Sequence, residues 1–262
     1  MKRVFLTLIP LCFVATAAYA DVTMKQTTGG KGMGMSGSAT STTYIKGLKM
    51  RTDTVTGDTT RSMIFDVENQ KLYMFDSKKK EADVYEMGAF GAQVSQNIDS
   101  SGIKASVKAN GQTKQVMGKT ANGYDIEIIV PATMGGREGM KMTMVLSGPA
   151  WIVKGAPGTE DFMRFYKGAA EKGWIFSDPR AAQAQPGQAK AMAEMYKQLA
   201  ETGGIPYEQE MNIKASGEGP MAGLMAKMGN MSMTSSIQSV ETTAVDAALF
   251  APPTGYKLNQ KK

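Results

Sequence analysis

Alternation constrains this chain more than any other feature. Met63, Phe65 and Val67 fall on one side of an extended segment, and Ile64 and Asp66 on the other. Tyr124, Ile126, Ile128 and Val130 alternate with Asp125 and Glu127, and Met140, Met142, Met144 and Leu146 alternate with Lys141 and Thr143. A period of two sends successive side chains to opposite faces, so each run reads as a strand with one apolar side. After Glu68-Asn69-Gln70 the chain resumes at Lys71 to Phe75 as a hairpin partner. Further strands are expected near 22–28, 39–46, 48–55, 82–87, 103–109, 112–118, 207–214 and 231–241. Asn110-Gly111 and Asn122-Gly123 read as tight turns, since Asn-Gly adopts the positive φ angles that two-residue hairpins need. Sequential strands with short turns predict an antiparallel meander with one wet face, and a sheet this long must curl or be covered.

Two helices interrupt the pattern. The first is expected over about 160–171, with Thr159 as its cap, Glu160 and Asp161 at the positive end of its dipole, and Phe162, Phe165, Tyr166 and Ala169 on one stripe. The second is expected over about 187–201, with Gln188, Ala191, Met192, Met195, Tyr196 and Leu199 at helical spacing and Gly203-Gly204 ending it. Both stripes need an apolar partner, which the sheet supplies. The stretch 175–187 reads as a loop, the Gly, Met and Ser-rich stretch 29–38 as a mobile loop, and Lys257 to Lys262 as a frayed tail, disordered over 259–262.

The N-terminus has the plan of a secretory leader. Lys2 and Arg3 precede the apolar stretch Val4 to Ala18, and Ala18-Tyr19-Ala20 is a small-x-small cleavage site. The stretch is short and broken by Pro10, a poor membrane span. Residues 1–20 are therefore expected to be a cleaved signal peptide. That leaves one domain over 21–258 in the periplasm of a Gram-negative bacterium. Cleavage lowers the net charge from +6 to +4 and removes the single cysteine, Cys12. Leu11 stands where a lipoprotein signal wants a small residue, so lipid attachment is not expected. The mild positive excess suits peripheral contact with an acidic membrane surface. No basic-aromatic motif suggests nucleic acid.

The chain has no histidine. Without imidazole, and without a thiol after cleavage, there is no Ser-His-Asp triad, no thiol nucleophile and no zinc site of the usual kind. Carboxylates are scattered, with no pair at a spacing that suggests acid–base work. No enzyme activity and no cofactor are expected.

Short motifs add little. Gly32-Met33-Gly34-Met35-Ser36-Gly37 matches a dinucleotide fingerprint, but a strand follows it where that motif needs a helix. Ser101-Gly102-Ile103-Lys104 matches a serine-acylation signature without its companion motifs. Asn230-Met231-Ser232 is a sequon by pattern only, and Lys78-Lys79-Lys80 reads as a solvated turn. Methionine is the outlier, at 22 residues. Flexible thioethers serve as core filler, as the soft lining of a cavity, or as sacrificial oxidation sites. Met225, Met228, Met231 and Met233 are dense enough to suggest Cu(I), a soft ion.

Several segments together resemble a known family: Tyr44-Ile45-Lys46-Gly47-Leu48-Lys49-Met50-Arg51, Met63-Ile64-Phe65-Asp66, Lys71-Leu72-Tyr73-Met74-Phe75, Gly118 and Tyr124 before a strand, Trp151-Ile152-Val153, and Val245 to Tyr256. The chain is similar to an uncharacterised exported bacterial domain family distantly related to the outer-membrane lipoprotein carrier (LolA-like) proteins. The resemblance implies an α+β fold: a strongly curved antiparallel half-barrel with about two helices on its concave face, in a periplasmic setting. It also implies a hydrophobic cavity and no catalytic residue. The chain departs from its relatives in its methionine content and its Gly and Met-rich insertion around 215–230.

The expected role is thus a periplasmic, non-enzymatic protein that binds or carries a lipid or an acylated protein. Phe65, Ile128, Met142, Met144, Phe165, Met192 and Tyr196 are the candidate cavity residues. The alternatives are an envelope structural or stress protein that binds a partner chain, and a methionine-rich Cu(I)-binding protein.

Overall fold

The computed structural model describes residues 21–32, 35–88, 102–133, 141–172, 186–217 and 231–261, with isolated positions 174, 179, 182 and 222. The leader 1–20 lies outside the described residues, as do Ser101, Met140, Met225, Met228 and Asn230 and most of 175–185 and 218–230.

The alternating runs form β1 (Val22–Gly32), β2 (Met35–Lys46), β3 (Lys49–Thr56), β4 (Thr59–Asp66), β5 (Lys71–Asp76), β6 (Glu81–Glu86), β7 (Lys104–Val116), β8 (Lys119–Thr133), β9 (Lys141–Lys154), β10 (Gly204–Gly217), β11 (Met231–Glu241) and β12 (Lys257–Lys261). They make a 12-stranded sheet in the order β12-β6-β5-β4-β3-β2-β1-β11-β10-β9-β8-β7. Two meanders, β1 to β6 and β7 to β11, join where β1 pairs with β11. The pairings are antiparallel except β12 on β6, which is parallel. The helices α1 (Thr159–Glu171) and α2 (Pro186–Glu201) lie between β9 and β10 in the chain.

Four local readings are corrected. Of the stretch read as a mobile loop, the described residues 29–32 and 35–38 are paired backbone: Gly30 faces Gly37 of β2 on one side and Met233 of β11 on the other. Hydrogen bonding along both edges of a central strand offsets the entropy that glycine loses on ordering. Neither Asn-Gly pair is a hairpin turn. Asn110-Gly111 forms a bulge inside β7, with Gly111 at φ 76° and a register shift between Ala109 and Thr113. Asn122-Gly123 lies within β8, opposite Ile152 and Trp151 of β9. The two meet: a Cβ on Gly123 would sit 2.4 Å from the Asn110 side-chain oxygen, and Asn110 Nδ2 donates to Asp125 at 2.9 Å. The hairpin turns instead at Met117-Gly118, at φ 50° and 70°, the double positive φ of a mirror-image turn.

The third correction concerns the cap of α1. Gly158, in the left-handed region at φ 79°, occupies the N-cap, and Thr159 is the first helical residue. Its buried Oγ1 has no hydrogen-bond partner among the described residues. The fourth is the tail: Lys257–Lys261 is β12, held parallel to β6 from Lys257 opposite Glu81 to Lys261 opposite Tyr85. Backbone pairing orders a segment that has no apolar face of its own; Leu258 is exposed.

Helix α1 buries its stripe as expected. Phe162, Phe165 and Ala169 join Val22, Ile45, Phe65 and Leu72 in one core. Lys172, just after α1, donates to the Val67 carbonyl at 3.2 Å. Helix α2 lays Ala191, Met195 and Leu199 on Ile126, Ile128 and Ile152. Its Gln198 grips edge strand β7 with one amide: Val107 N donates to Oε1 at 3.0 Å, and Nε2 donates to the Ala105 carbonyl at 3.0 Å. That amide takes the place of a neighbouring strand on an edge otherwise open to misassociation.

The expectation of one wet face fails at the β2–β6 end. There the other side of the sheet is covered by a strap, residues 242–256, whose Val245 and Phe250 bury Ile64, Phe75 and Ala82. Arg51 anchors it, with Nη1 donating to the Leu249 carbonyl at 3.1 Å and its guanidinium 5.5 Å from the Phe75 ring centroid. Asp21 anchors the strap's start. Its carboxylate accepts from Val245 N at 2.7 Å and pairs with Lys46 at 2.7 Å. Lys78-Lys79-Lys80 is the solvated turn it was read to be: the backbone N–H groups of Lys78 and Lys79 donate to Asp76, and the Lys78 ammonium pairs with Asp58 at 2.7 Å.

Candidate ligand cavity

The apolar faces of the two meanders and the two helix stripes do not close completely on one another. Between them lies a cavity of about 410 Å³, bordered by α1, α2, β1 to β4 and β9 to β11. Pockets for small ligands fall in the range of about 300–1,000 Å³. Its walls include seven methionines: Met24, Met50, Met63, Met192, Met195, Met211 and Met233. Unbranched thioether chains fill irregular space and repack at low cost, so such a wall accommodates varied apolar shapes.

The helices contribute an aromatic pair. Tyr166 of α1 and Tyr196 of α2 stack at 5.4 Å between ring centroids and 16° between planes. The Tyr166 hydroxyl lies 3.8 Å from the Met50 sulfur. Burial pushes the Tyr166 phenol up, aided by the neighbouring Tyr196, and burial pushes Tyr196 up as well. Both rings are neutral across the physiological range.

Phe65, Phe162, Leu146, Leu199, Ile205 and Ile237 extend the apolar lining, and the polar part of it is uncharged. Thr43 and Thr52 share a hydrogen bond at 3.1 Å, and Thr28 Oγ1 donates to the Ala39 carbonyl at 3.4 Å. Gln26, Gln209, Thr234 and Ser235 complete the polar wall. None of the described lining residues is Asp, Glu, Lys or Arg.

Of the seven residues named from sequence, three line the cavity: Phe65, Met192 and Tyr196. Phe165 and Ile128, both fully buried, belong to the solid cores under α1 and α2. Met144 packs against the α2 core. Met142, half-buried on β9 opposite Gly217, lies beyond Leu146, the β9 residue that borders the cavity. Of the methionines considered for copper, Met231 and Met233 lie on β11, and Met233 lines the cavity; Met225 and Met228 are outside the described residues. Among the described residues no three acidic, Cys or His side chains gather as a metal site.

The sequence reading missed Met24, Met50 and Met211 because each is a lone methionine on a strand of polar neighbours. A signal was present: Met24, Gln26 and Thr28 share one face of β1, and Met50 and Thr52 share one face of β3.

No family model matches the chain, and no curated protein does. Among solved structures, PNGF-II aligns over 92% of this chain and 31% of its own, at 10% identity and a TM-score of 0.36. The chain spans about a third of that protein's length. A LolA superfamily protein from Nitrosomonas europaea aligns over 89% of this chain and 91% of its own, at 5% identity and a TM-score of 0.30.

Proposed function

We propose that this is an exported, periplasmic, non-enzymatic protein that takes a hydrophobic ligand, a lipid or the acyl group of an acylated protein, into the space between helices and sheet. One observation carries the reading: a cavity of about 410 Å³ with seven methionines in its wall, set between packed apolar cores. Burial drives binding, at about 0.8 kcal/mol per methylene removed from water. The leader-like residues 1–20 support export. The curved half-barrel belongs to the same proposal. A single cavity that touches β4 through Phe65 and β9 through Leu146 supports a sheet that bends around the helices.

The test is titration of the delipidated protein with Nile red, an uncharged apolar dye, alongside native mass spectrometry of protein recovered from a periplasmic extract. Saturable uptake of one dye per chain, weakened by Met192→Glu, is the expected result. A clean ligand-free mass together with no saturable dye uptake rejects the reading.

A further inference from the structure

The polar groups in the cavity are neither scattered nor charged. Thr28 of β1 faces Ser235 of β11, and Ser235 faces Gln209 of β10. One rung away, Gln26 of β1 lies between Ser41 of β2 and Ile237 of β11. These residues form a belt across the middle of the apolar surface. On one side stand Met24 and Met50; on the other, Met211 and Met233 pair directly across their strands.

The belt carries unused hydrogen-bonding capacity. Among the described residues the Gln26 and Gln209 amides have no hydrogen-bond partner, and both border the cavity. Each offers two N–H donors and a carbonyl acceptor. Ser41, directly across from Gln26, buries a hydroxyl that also has no partner among the described residues. Gln26 and Gln209 are half-buried, so their amides stay hydrated in the empty cavity and are free to pair with a guest, whereas the fully buried Ser41 hydroxyl gains most from one. No described residue of the wall supplies a cation. Lys25 precedes Gln26 and so projects from the opposite face, and Arg61, on the same face of β4 as Met63, stands at the exposed start of that strand opposite Asp76 and outside the wall. A carboxylate or phosphate seated on this wall would therefore give up part of its hydration with no cation in the described lining to offset the loss. The two stacked tyrosines, neutral under the same burial, add no charge of either sign.

Resting on the carrier reading above, we infer that the cavity selects an uncharged amphiphile: an apolar chain whose polar part is an ester, amide or hydroxyl, as in a glyceride, seated on Gln26 and Gln209. Free fatty acids and phosphate-bearing lipids are discriminated against.

The experiment is displacement of Nile red from the delipidated full chain, below micelle-forming concentrations, by three ligands of matched chain length: monoolein, oleate and 1-octadecene. Monoolein is expected to displace dye at about tenfold lower concentration than oleate at neutral pH, the effect of roughly one well-made polar contact. Gln26→Leu combined with Gln209→Leu brings monoolein to the level of 1-octadecene and leaves 1-octadecene unchanged. If that variant does not fold, the wild-type pH profile still decides. Oleate affinity rises as pH falls through its carboxylate range, because protonation makes it neutral, while monoolein affinity stays level. Equal or tighter binding of oleate at neutral pH, or monoolein affinity untouched by the double substitution, overturns the selection for neutral ligands and leaves the cavity reading standing. Absence of dye binding overturns both.

Discussion

Strands β2 to β6 present two faces that differ in kind. On the strap side, Ile64, Phe75 and Ala82 meet Val245 and Phe250, with Arg51 and Tyr256 closing over Phe75. On the helix side, the same strands offer Met50, Met63 and Phe65 to a cavity that the helices cover without filling. Adjacent residues therefore live in different environments: Ile64 is 0% exposed, whereas Met63 is partly open. The strap face is held by groups of fixed geometry, a guanidinium and aromatic rings; the cavity face is walled by thioethers without rotameric rigidity. On the carrier reading proposed above, the rigid face would keep the sheet intact while the thioether face adapts to a guest.

The largest expected effect tests that contrast at neighbouring positions. Ile64→Ala leaves a hole in a closed core and should cost about 2–5 kcal/mol. Met63→Ala enlarges a space that is already there and loses a partly exposed side chain, so a cost below about 1.5 kcal/mol is expected. Urea unfolding of both variants measures the difference. Equal costs would mean that the helix face is as solid as the strap face, and the comparison collapses.

The strap's attachment comes next. Arg51→Ala removes the donor to the Leu249 carbonyl and the partner of Asp53, an ion pair at 2.8 Å. A loss of about 1–3 kcal/mol is expected, since charged hydrogen bonds are worth about 1.5–3 kcal/mol and some solvent access moderates this. Limited proteolysis should then cut within 242–246 first. Cleavage elsewhere would show that the strap is held by its apolar contacts alone.

Acid separates the two faces again through Asp66 and Asp161. Burial pushes Asp66 up, but hydrogen bonds from the Asn69 side chain and backbone, together with Lys49 at 3.1 Å, outweigh it and hold the carboxyl below its usual range. A depressed folded-state value means stability that is present above the unfolded value and lost as pH falls through the folded one. Asp161 at the start of α1 behaves oppositely: burial raises it despite Arg164, so its ionisation works against folding as pH rises through the interval between its unfolded and folded values. Asp66→Asn should flatten the acid side of a stability–pH curve, and Asp161→Asn should remove a small loss of stability toward neutral pH. An unchanged acid limb in Asp66→Asn removes that hydrogen-bonded turn as a source of acid sensitivity.

What the sequence disclosed follows from the range of the forces involved. The alternation of Tyr124, Ile126, Ile128 and Val130 and the stripe of Phe162, Phe165 and Ala169 are local patterns, and each element formed where its pattern stood. Asn110-Gly111 has the chemistry of a turn, but whether such a pair reverses the chain or only bulges it depends on the register of the partner strand. Lys257–Lys261 has no apolar pattern; its order comes from a parallel partner, β6, far back in the chain. The cavity was legible where a stripe entered it, at Met192 and Tyr196. Gln26, Met24 and Gln209 face a common space only because β1 pairs with β11 and β11 with β10, connections that no local window contains.

The smallest expected effect concerns hydroxyls at the border between the two regimes. Thr43 is buried beside the cavity, and its Oγ1 lies 3.1 Å from that of Thr52 on β3. Removing one partner strands the other, so Thr43→Val should cost about 1 kcal/mol, whereas changing Thr43 and Thr52 to Val together exchanges a polar pair for an apolar one of similar shape and should be nearly neutral. A double-mutant cycle read by thermal unfolding isolates this coupling. The sign matters more than the size. If the single substitution is already neutral, cavity water reaches Thr52 and satisfies it, so the helix face is wet as well as hollow. If the coupling is present, the wall there is dry, and an apolar chain of the kind proposed would pass Thr43 and Thr52 without having to displace bound solvent.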